Sequence, residues 1–237
     1  AYRLPLPALR SAEPLPDVSA YDAIIVNYVF CLGVLLFPPE RTVVDTHDVF
    51  GHRHRLYRSL GLEPRWFSTT PEAEIRALKP YREVWGISTR DTGYFRQAGL
   101  TQARHLGWTL PPVSIPDEPR GLPPEVLVVA SGNPLNVSAL RWLERAVWPA
   151  VVERVEARGG LRPVLRVLGG VGSGTCTDTE LTAAYARAAV VLNPTRGGTG
   201  LSIKCLEALR HGACLLTSLE HRPEVGFAPQ APDLPWS

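Results

Sequence analysis

The chain has 237 residues, 45% hydrophobic and 20% charged, with a formal net charge of +2. Such a balance is ordinary for a globular protein with a real core, and it excludes a disordered chain. A charge this small gives no reason to expect nucleic acid as a partner.

No methionine occurs anywhere, not even at position 1. The chain therefore reads as an internal piece of a longer protein, truncated at both ends, with Asp233–Ser237 as a cut rather than a helical close. Leu4–Pro16, rich in proline and polar residues, reads as a loop. Tyr21–Val26 is a short apolar run with β-branched residues, which predicts a buried strand. The wider apolar run Ala23–Phe37 is interrupted by Asn27 and stopped by Pro38-Pro39, so it falls short of the ~20 residues of a membrane helix. Arg41–Asp45 predicts a second strand, leading into the polar cluster Asp45-Thr46-His47-Asp48. Phe50–Leu60 predicts a helix. Thr70 followed by Pro71, Glu72 and Glu74 predicts another, with a threonine cap, proline at the first position and acids in the first turn. Glu83–Ser88 predicts a strand and Thr89–Gln97 a helix closed by Gly99.

Six prolines fall between Leu110 and Pro124 (positions 111, 112, 116, 119, 123 and 124), together with Asp117 and Glu118. This is the clearest linker signal in the chain. It divides residues 1–110 from 123–237, with 111–122 as the linker. Beyond it the pattern alternates regularly. Strands are predicted at Val126–Ala130, Val164–Leu168, Ala189–Leu192 and Ala213–Thr217. Helices are predicted at Asn136–Val155, Thr179–Ala188 and Leu201–Arg210. Alternating strands and helices imply α/β units with parallel sheets. Cys31, Cys176, Cys205 and Cys214 form no C-x-x-C pair and no zinc-like spacing, which suits reduced thiols in the cytoplasm. No signal peptide is visible.

The strongest chemical signal is Asn193-Pro194-Thr195-Arg196-Gly197-Gly198-Thr199-Gly200-Leu201-Ser202-Ile203-Lys204, continued by Cys205-Leu206-Glu207-Ala208-Leu209. It reads as strand, glycine-rich turn and helix. A helix start beyond a strand end offers free N–H groups and positive potential for phosphate. Lys204 and Glu207, three apart, lie together off the apolar helix face. They read either as a phosphate ligand and a ribose ligand one turn deeper, or as a solvent-exposed ion bridge. A second cluster is Asp45, His47, Asp48, His52 and His54. Its H-x-D and H-x-H spacings match no standard zinc pattern, and a metal site and a packed strand-end histidine both stay open. Gly169-Gly170-Val171-Gly172-Ser173-Gly174-Thr175 nearly mimics a P-loop, but Thr175 replaces the required lysine, so an ordinary loop is expected. Asn136-Val137-Ser138 is a formal glycosylation triplet with no expected role.

Asn193-Pro194, Gly198-Thr199-Gly200, Lys204, Leu206–Leu209 and Gly212 resemble the donor-site segment of the family 4 retaining glycosyltransferases (glycosyl transferases group 1). Val128–Asn133 with Asn136, Ala139–Trp142 and Trp148-Pro149 resembles the first strand, loop and helix of their C-terminal domain. Leu165–Gly169 and Tyr185–Ala188 are similar to the units that follow. Asp45–Asp48 and Trp85–Ser88 are similar to the later part of their acceptor domain, so the resemblance covers about residues 20 to 220. It implies a GT-B fold: two Rossmann-like α/β domains, an incomplete acceptor side at 1–110 and a nucleotide-sugar side at 123–237. It implies transfer of a hexose from a nucleoside diphosphate sugar to an acceptor hydroxyl, with retention, without metal or further cofactor. The acceptor, whether glycan, lipid-linked glycan or small molecule, stays open, as does contact with a membrane surface. His47 is the match to a histidine that touches the donor sugar. Gly132, Asn133, Arg196, Gly198, Thr199, Gly200, Leu201, Ser202, Lys204 and Glu207 are the expected donor-binding residues. Many family members carry a glutamate eight positions before the second one. Here that position is Thr199, so the sugar contact of that glutamate does not carry over. A non-catalytic nucleotide-binding module and another Rossmann-fold enzyme remain as alternatives.

Overall fold

The computed structural model of the chain describes residues 17–33, 37–65, 67–111, 113–114, 122–172, 174 and 176–218. The expected loop at Leu4–Pro16 and the chain end at Asp233–Ser237 lie outside the described residues. So do residues 34–36 of the first apolar run, Pro112, Pro116, Asp117, Glu118 and Pro119 of the linker, and Ser173 and Thr175. The chain divides into two compact units: residues 1–108 with 198–201, and residues 109–197 with 202–237.

The first unit is built on a parallel four-stranded sheet in the order β1-β2-β3-β4, with β1 at Ile24–Asn27, β2 at Thr42–Asp45, β3 at Glu83–Gly86 and β4 at Ala103–His105. The last strand has no counterpart in the sequence reading. It is three residues long and buries only Ala103, so it shows no alternation to read. Helices α1 (Arg53–Ser59), α2 (Pro71–Leu78) and α3 (Thr89–Gln97) accompany the sheet. The Thr70 side chain accepts from Ala73 N, with Pro71 at the helix start, as the sequence suggests. Ser88, read as the end of a strand, instead caps α3 by accepting from Asp91 N. The α1 helix starts at Arg53 rather than Phe50, because His52 has a left-handed backbone at φ +63°; the Phe50 and Gly51 N–H groups before it donate to the Glu74 carboxylate, each at 2.8 Å. Val44, Phe50, Leu78, Val84, Phe95 and Leu100 are fully buried in the core of this unit.

The second unit carries the order β6-β5-β7-β8, all parallel. Its strands are β5 (Glu125–Val129), β6 (Val164–Leu168), β7 (Ala188–Asn193) and β8 (Leu215–Thr217). Successive residues of β5 serve opposite faces, as a strand requires. Leu127 packs with Tyr185 and Ala208, while Val128 packs with Leu140 and Leu143. Such burial on both faces is the mark of a parallel sheet covered by helices.

The single helix expected over Asn136–Val155 is interrupted. Helix α4 (Pro134–Trp142) is followed by a π-helical turn at Leu143–Val147 and then by α5 (Trp148–Glu156). Pro149 has no N–H to donate to the preceding turn, and the chain passes through the wider turn there, with Trp148 N reaching back to Leu143 O. Helix α6 (Asp178–Arg187) opens on a reciprocal cap: Thr177 Oγ1 accepts from Glu180 N, and Glu180 Oε2 accepts from Thr177 N. Helix α7 spans Ile203–Arg210, so Leu201 and Ser202 lie outside it, contrary to the sequence reading. Among the described residues no helix is long and apolar enough to cross a membrane.

Candidate anion site at the strand-order switch of the second unit

The chain leaves β5 for β6 on one side and then builds β7 and β8 on the other. In an open parallel sheet this switch leaves a crevice beyond the carboxyl ends of the two flanking strands, and ligands bind there. The loops after β5 and β7 are Ala130–Asn133 and Pro194–Gly197, and both belong to the motif segments singled out above.

Lys204 stands in the first turn of α7, facing these loops. Its Nζ donates to Asn136 Oδ1 at 2.8 Å and to Thr195 Oγ1 at 3.0 Å. The Thr195 hydroxyl donates in turn to the same Asn136 Oδ1 at 3.1 Å. Asn136 Nδ2 donates to the Ser131 carbonyl at 3.2 Å and to Ser131 Oγ at 3.1 Å. One network therefore ties the β5 loop, α4, the β7 loop and α7 together. Both acceptors around the ammonium are neutral. Burial pushes the Lys204 pKa down to about 8, as expected for a desolvated cation without an opposite charge beside it.

Glu207 does not pair with Lys204, so the surface ion bridge left open above is not formed. Its carboxylate accepts from Tyr185 Oη at 3.3 Å. Tyr185 is almost completely buried and stacks on His211 at 4.7 Å with an interplanar angle of 9°. Burial, and then the Glu207 charge, raise the Tyr185 pKa, so this phenol stays a donor. Asn193, buried at the end of β7, donates to Ser202 Oγ and Thr217 Oγ1, both at 3.3 Å. That bond fixes where α7 begins relative to β7 and β8.

The other expected donor-side residues have the following places. The Arg196 guanidinium is exposed and lies 4.3 Å from the Trp142 ring centroid, a cation–π contact. The Asn133 side chain accepts from Leu135 N at 2.9 Å and so serves as the cap of α4. Gly132 is packed against the loop after β6: a Cβ on Gly170 would come within 2.9 Å of Gly132 N. The same loop turns sharply at Gly169, at φ +91°, with Val171 N donating to Ala130 O. Ser202 occupies the cap position of α7 but its side chain makes no cap bond.

Gly198, Thr199, Gly200 and Leu201 are counted with the first unit. Within that unit Thr199 Oγ1 donates to Asp48 Oδ1, and Gly200 N donates to Asp91 Oδ2 at 2.8 Å. Gly200 has φ +78°, and a Cβ there would meet His47 O at 2.7 Å, so no other residue fits without a shift. Asp91 is buried, which raises its pKa to about 6.

In the first unit His47 follows β2 with φ +56°. Its Nε2 lies 2.9 Å from Asn27 Oδ1 and 3.5 Å from Asp45 Oδ2, and its ring packs on Tyr28 at 4.5 Å. The ring is thus held by the ends of β1 and β2. The other members of the Asp/His cluster turn to separate partners. Asp48 pairs with Arg53 at 2.6 Å, and His54 Nδ1 lies 2.8 Å from Ser68 Oγ. Among the described residues no group of three or more His, Cys, Asp or Glu could hold a metal ion.

Sequence reasoning missed Thr195 and Tyr185 as members of the site and gave Asn136 no chemical role. Asn136 is separated from Lys204 by 68 positions, and only the crossing of strand order brings them together.

No family model matches the sequence, and no curated protein matches it. Solved structures do. The crystal structure of TarM is matched with a TM-score of 0.50 over 83% of this chain and 41% of that one, at 9% identity. The sucrose-phosphate synthase of Thermosynechococcus elongatus is matched with a TM-score of 0.52 over 85% and 57%, at 17% identity. The fold class is GT-B. The chain has two Rossmann-like α/β units with parallel sheets, as the sequence predicts. It spans 41% and 57% of the lengths of these two structures.

Proposed function

We propose that the chain belongs to a glycosyltransferase of the retaining, metal-independent kind, which moves a hexose from a nucleoside diphosphate sugar to an acceptor hydroxyl. One observation carries this reading: the half-buried Lys204 ammonium, held by neutral acceptors in the first turn of α7, at the strand-order switch of the second unit. An uncompensated cation in that place is suited to the diphosphate of a donor and to the charge that grows on it as the sugar leaves. Arg196 adds a second positive group on the same loop. Glu207, one turn further along α7, is suited to the ribose hydroxyls. His47 is assigned to the donor sugar.

Thr199 supports a second reading. Where many family 4 enzymes have a glutamate that touches the sugar, this chain has a hydroxyl committed to Asp48. A nucleotide-binding module without transfer activity would be consistent with that. Incubating the full-length protein with radiolabelled UDP-, GDP- and ADP-hexoses separates the two. The transferase reading expects slow release of free hexose even without an acceptor. Binding of a nucleoside diphosphate with no release of sugar from any donor would favour the module, and no binding at all would remove both.

A further inference from the structure

Asn136 is the hub of the network around Lys204, and its chemistry there is constrained. An ammonium can only donate, so the side-chain carbonyl must be the atom that faces it, and the amide nitrogen must point to Ser131. That nitrogen donates to both Ser131 O and Ser131 Oγ, which anchors the carbonyl on the loop after β5. Oδ1 then accepts twice, from Lys204 Nζ and from Thr195 Oγ1. Two of the three ammonium protons are so directed, one to Asn136 and one to Thr195, which sets the line of the third. Among the described residues Lys204 takes part in no ion pair.

We propose that Asn136 is a positioning residue of the anion site: its carbonyl holds the Lys204 ammonium in a charge-neutral cradle, so that the full positive charge is kept for a diphosphate. This rests on the donor-site reading above. A desolvated ammonium needs acceptors, because an unsatisfied buried charge is costly. A carboxylate would satisfy it but would also cancel its charge and repel the incoming anion. An amide satisfies it and leaves the charge. The same requirement explains why the amide nitrogen of Asn136 is turned to Ser131.

The test uses calorimetric titration of the full chain with UDP, GDP and ADP, together with thermal melting of each variant. Asn136→Asp keeps the shape and the acceptor that faces Lys204 and Thr195, gives up the two amide donors to Ser131 and adds a negative charge, while Asn136→Ala removes donors and acceptor and adds no charge. The cradle predicts that Asn136→Asp binds the preferred nucleoside diphosphate more weakly than Asn136→Ala does. The loss against the native chain should be about tenfold or more, although Asn136→Asp melts at or above the temperature of Asn136→Ala. A purely structural role predicts the reverse order, since the variant that keeps the acceptor for Lys204 and Thr195 would bind better than the one that keeps none. Native-like binding by Asn136→Asp, or a smaller loss than Asn136→Ala, overturns the inference. Thr195→Val, which removes one of the two orienting acceptors, gives an independent arm if the Asn136 variants do not fold. A several-fold loss is expected there, and unchanged affinity again overturns the proposal. Failure of the native chain to bind any of the three nucleotides would instead remove the donor-site reading itself.

Discussion

Two side chains of the first unit, buried Glu74 and half-buried His47, carry consequences of opposite kinds. Glu74 is nearly inaccessible, and burial, opposed by its bonds to Phe50 N and Gly51 N, raises its pKa to about 7 from the ordinary 4.5. Neighbouring Asp91 and Asp48 push it in the same upward direction. In the folded chain Glu74 keeps its proton up to about pH 7, whereas in the unfolded chain it loses it near 4.5. The folded state therefore binds more protons in between, and its stability falls as pH rises from 4.5 through 7. The effect should be on the order of 2–3 kcal/mol. Urea unfolding at pH 5 and pH 7.5 should show this fall, and Glu74→Gln should flatten much of it, with the smaller contribution of Asp91 remaining. An equal slope in native and variant chains would remove Glu74 as the cause. His47 is the other case. Its ring is fixed by Asn27, Asp45 and Tyr28, and its proposed contact is with the sugar rather than the nucleotide. If the proposed transferase activity holds, His47→Ala is expected to lower turnover at least tenfold while nucleoside diphosphate affinity moves little. Steady-state rates and a direct titration compare the two, and undiminished turnover would leave His47 as a packing residue.

A helix start was legible where its cap chemistry is local, and helix interiors were less so. Thr70-Pro71 announced α2 because cap chemistry is local: a side-chain oxygen needs only to reach an N–H three residues on. The Thr177–Glu180 cap of α6 follows the same rule, although the sequence reading placed that start one residue late. Thr177→Ala should lose the side-chain half of the reciprocal bond, the acceptor for Glu180 N, while the backbone N–H at 177 still donates to Glu180, and should destabilise the chain by about 1 kcal/mol, within the usual range for caps. Thermal melting checks this, and an unchanged midpoint would mean that α6 is held by packing of Tyr185 and Ala184 alone. The break at the π-helical turn was missed because apolar spacing continues across it. Leu140, Leu143, Val147 and Val151 keep a helical rhythm, while the constraint comes from one absent N–H at Pro149. The start of α7 was misplaced for a related reason. Leu201 fits the apolar face, but Gly200 is held at positive φ by close backbone contact, and the helix begins only after Ser202.

At the scale of the molecule, the class of fold was readable from alternation alone, since strands covered on both faces leave continuous apolar runs. Strand order was not, because nothing local states that β6 and β7 flank β5. The site depends on that order. Lys204 and Glu207 could be picked out from a glycine-rich turn and helix geometry, but their partners Asn136 and Tyr185 come from other elements and became visible only once the sheet was assembled. The central claim is that Lys204 and Glu207 serve different parts of one nucleotide. Calorimetric titration of the full-length protein with UDP and with uridine (or the guanosine or adenosine pair, if one of those binds better) tests it on native, Lys204→Ala and Glu207→Ala chains. Lys204→Ala should weaken the diphosphate by about 1.5–3 kcal/mol, the range for a hydrogen bond to a charged group, and leave the uncharged nucleoside almost unchanged. Glu207→Ala should weaken both ligands about equally. Equal losses for both ligands in Lys204→Ala, or no loss in either variant, would contradict the account.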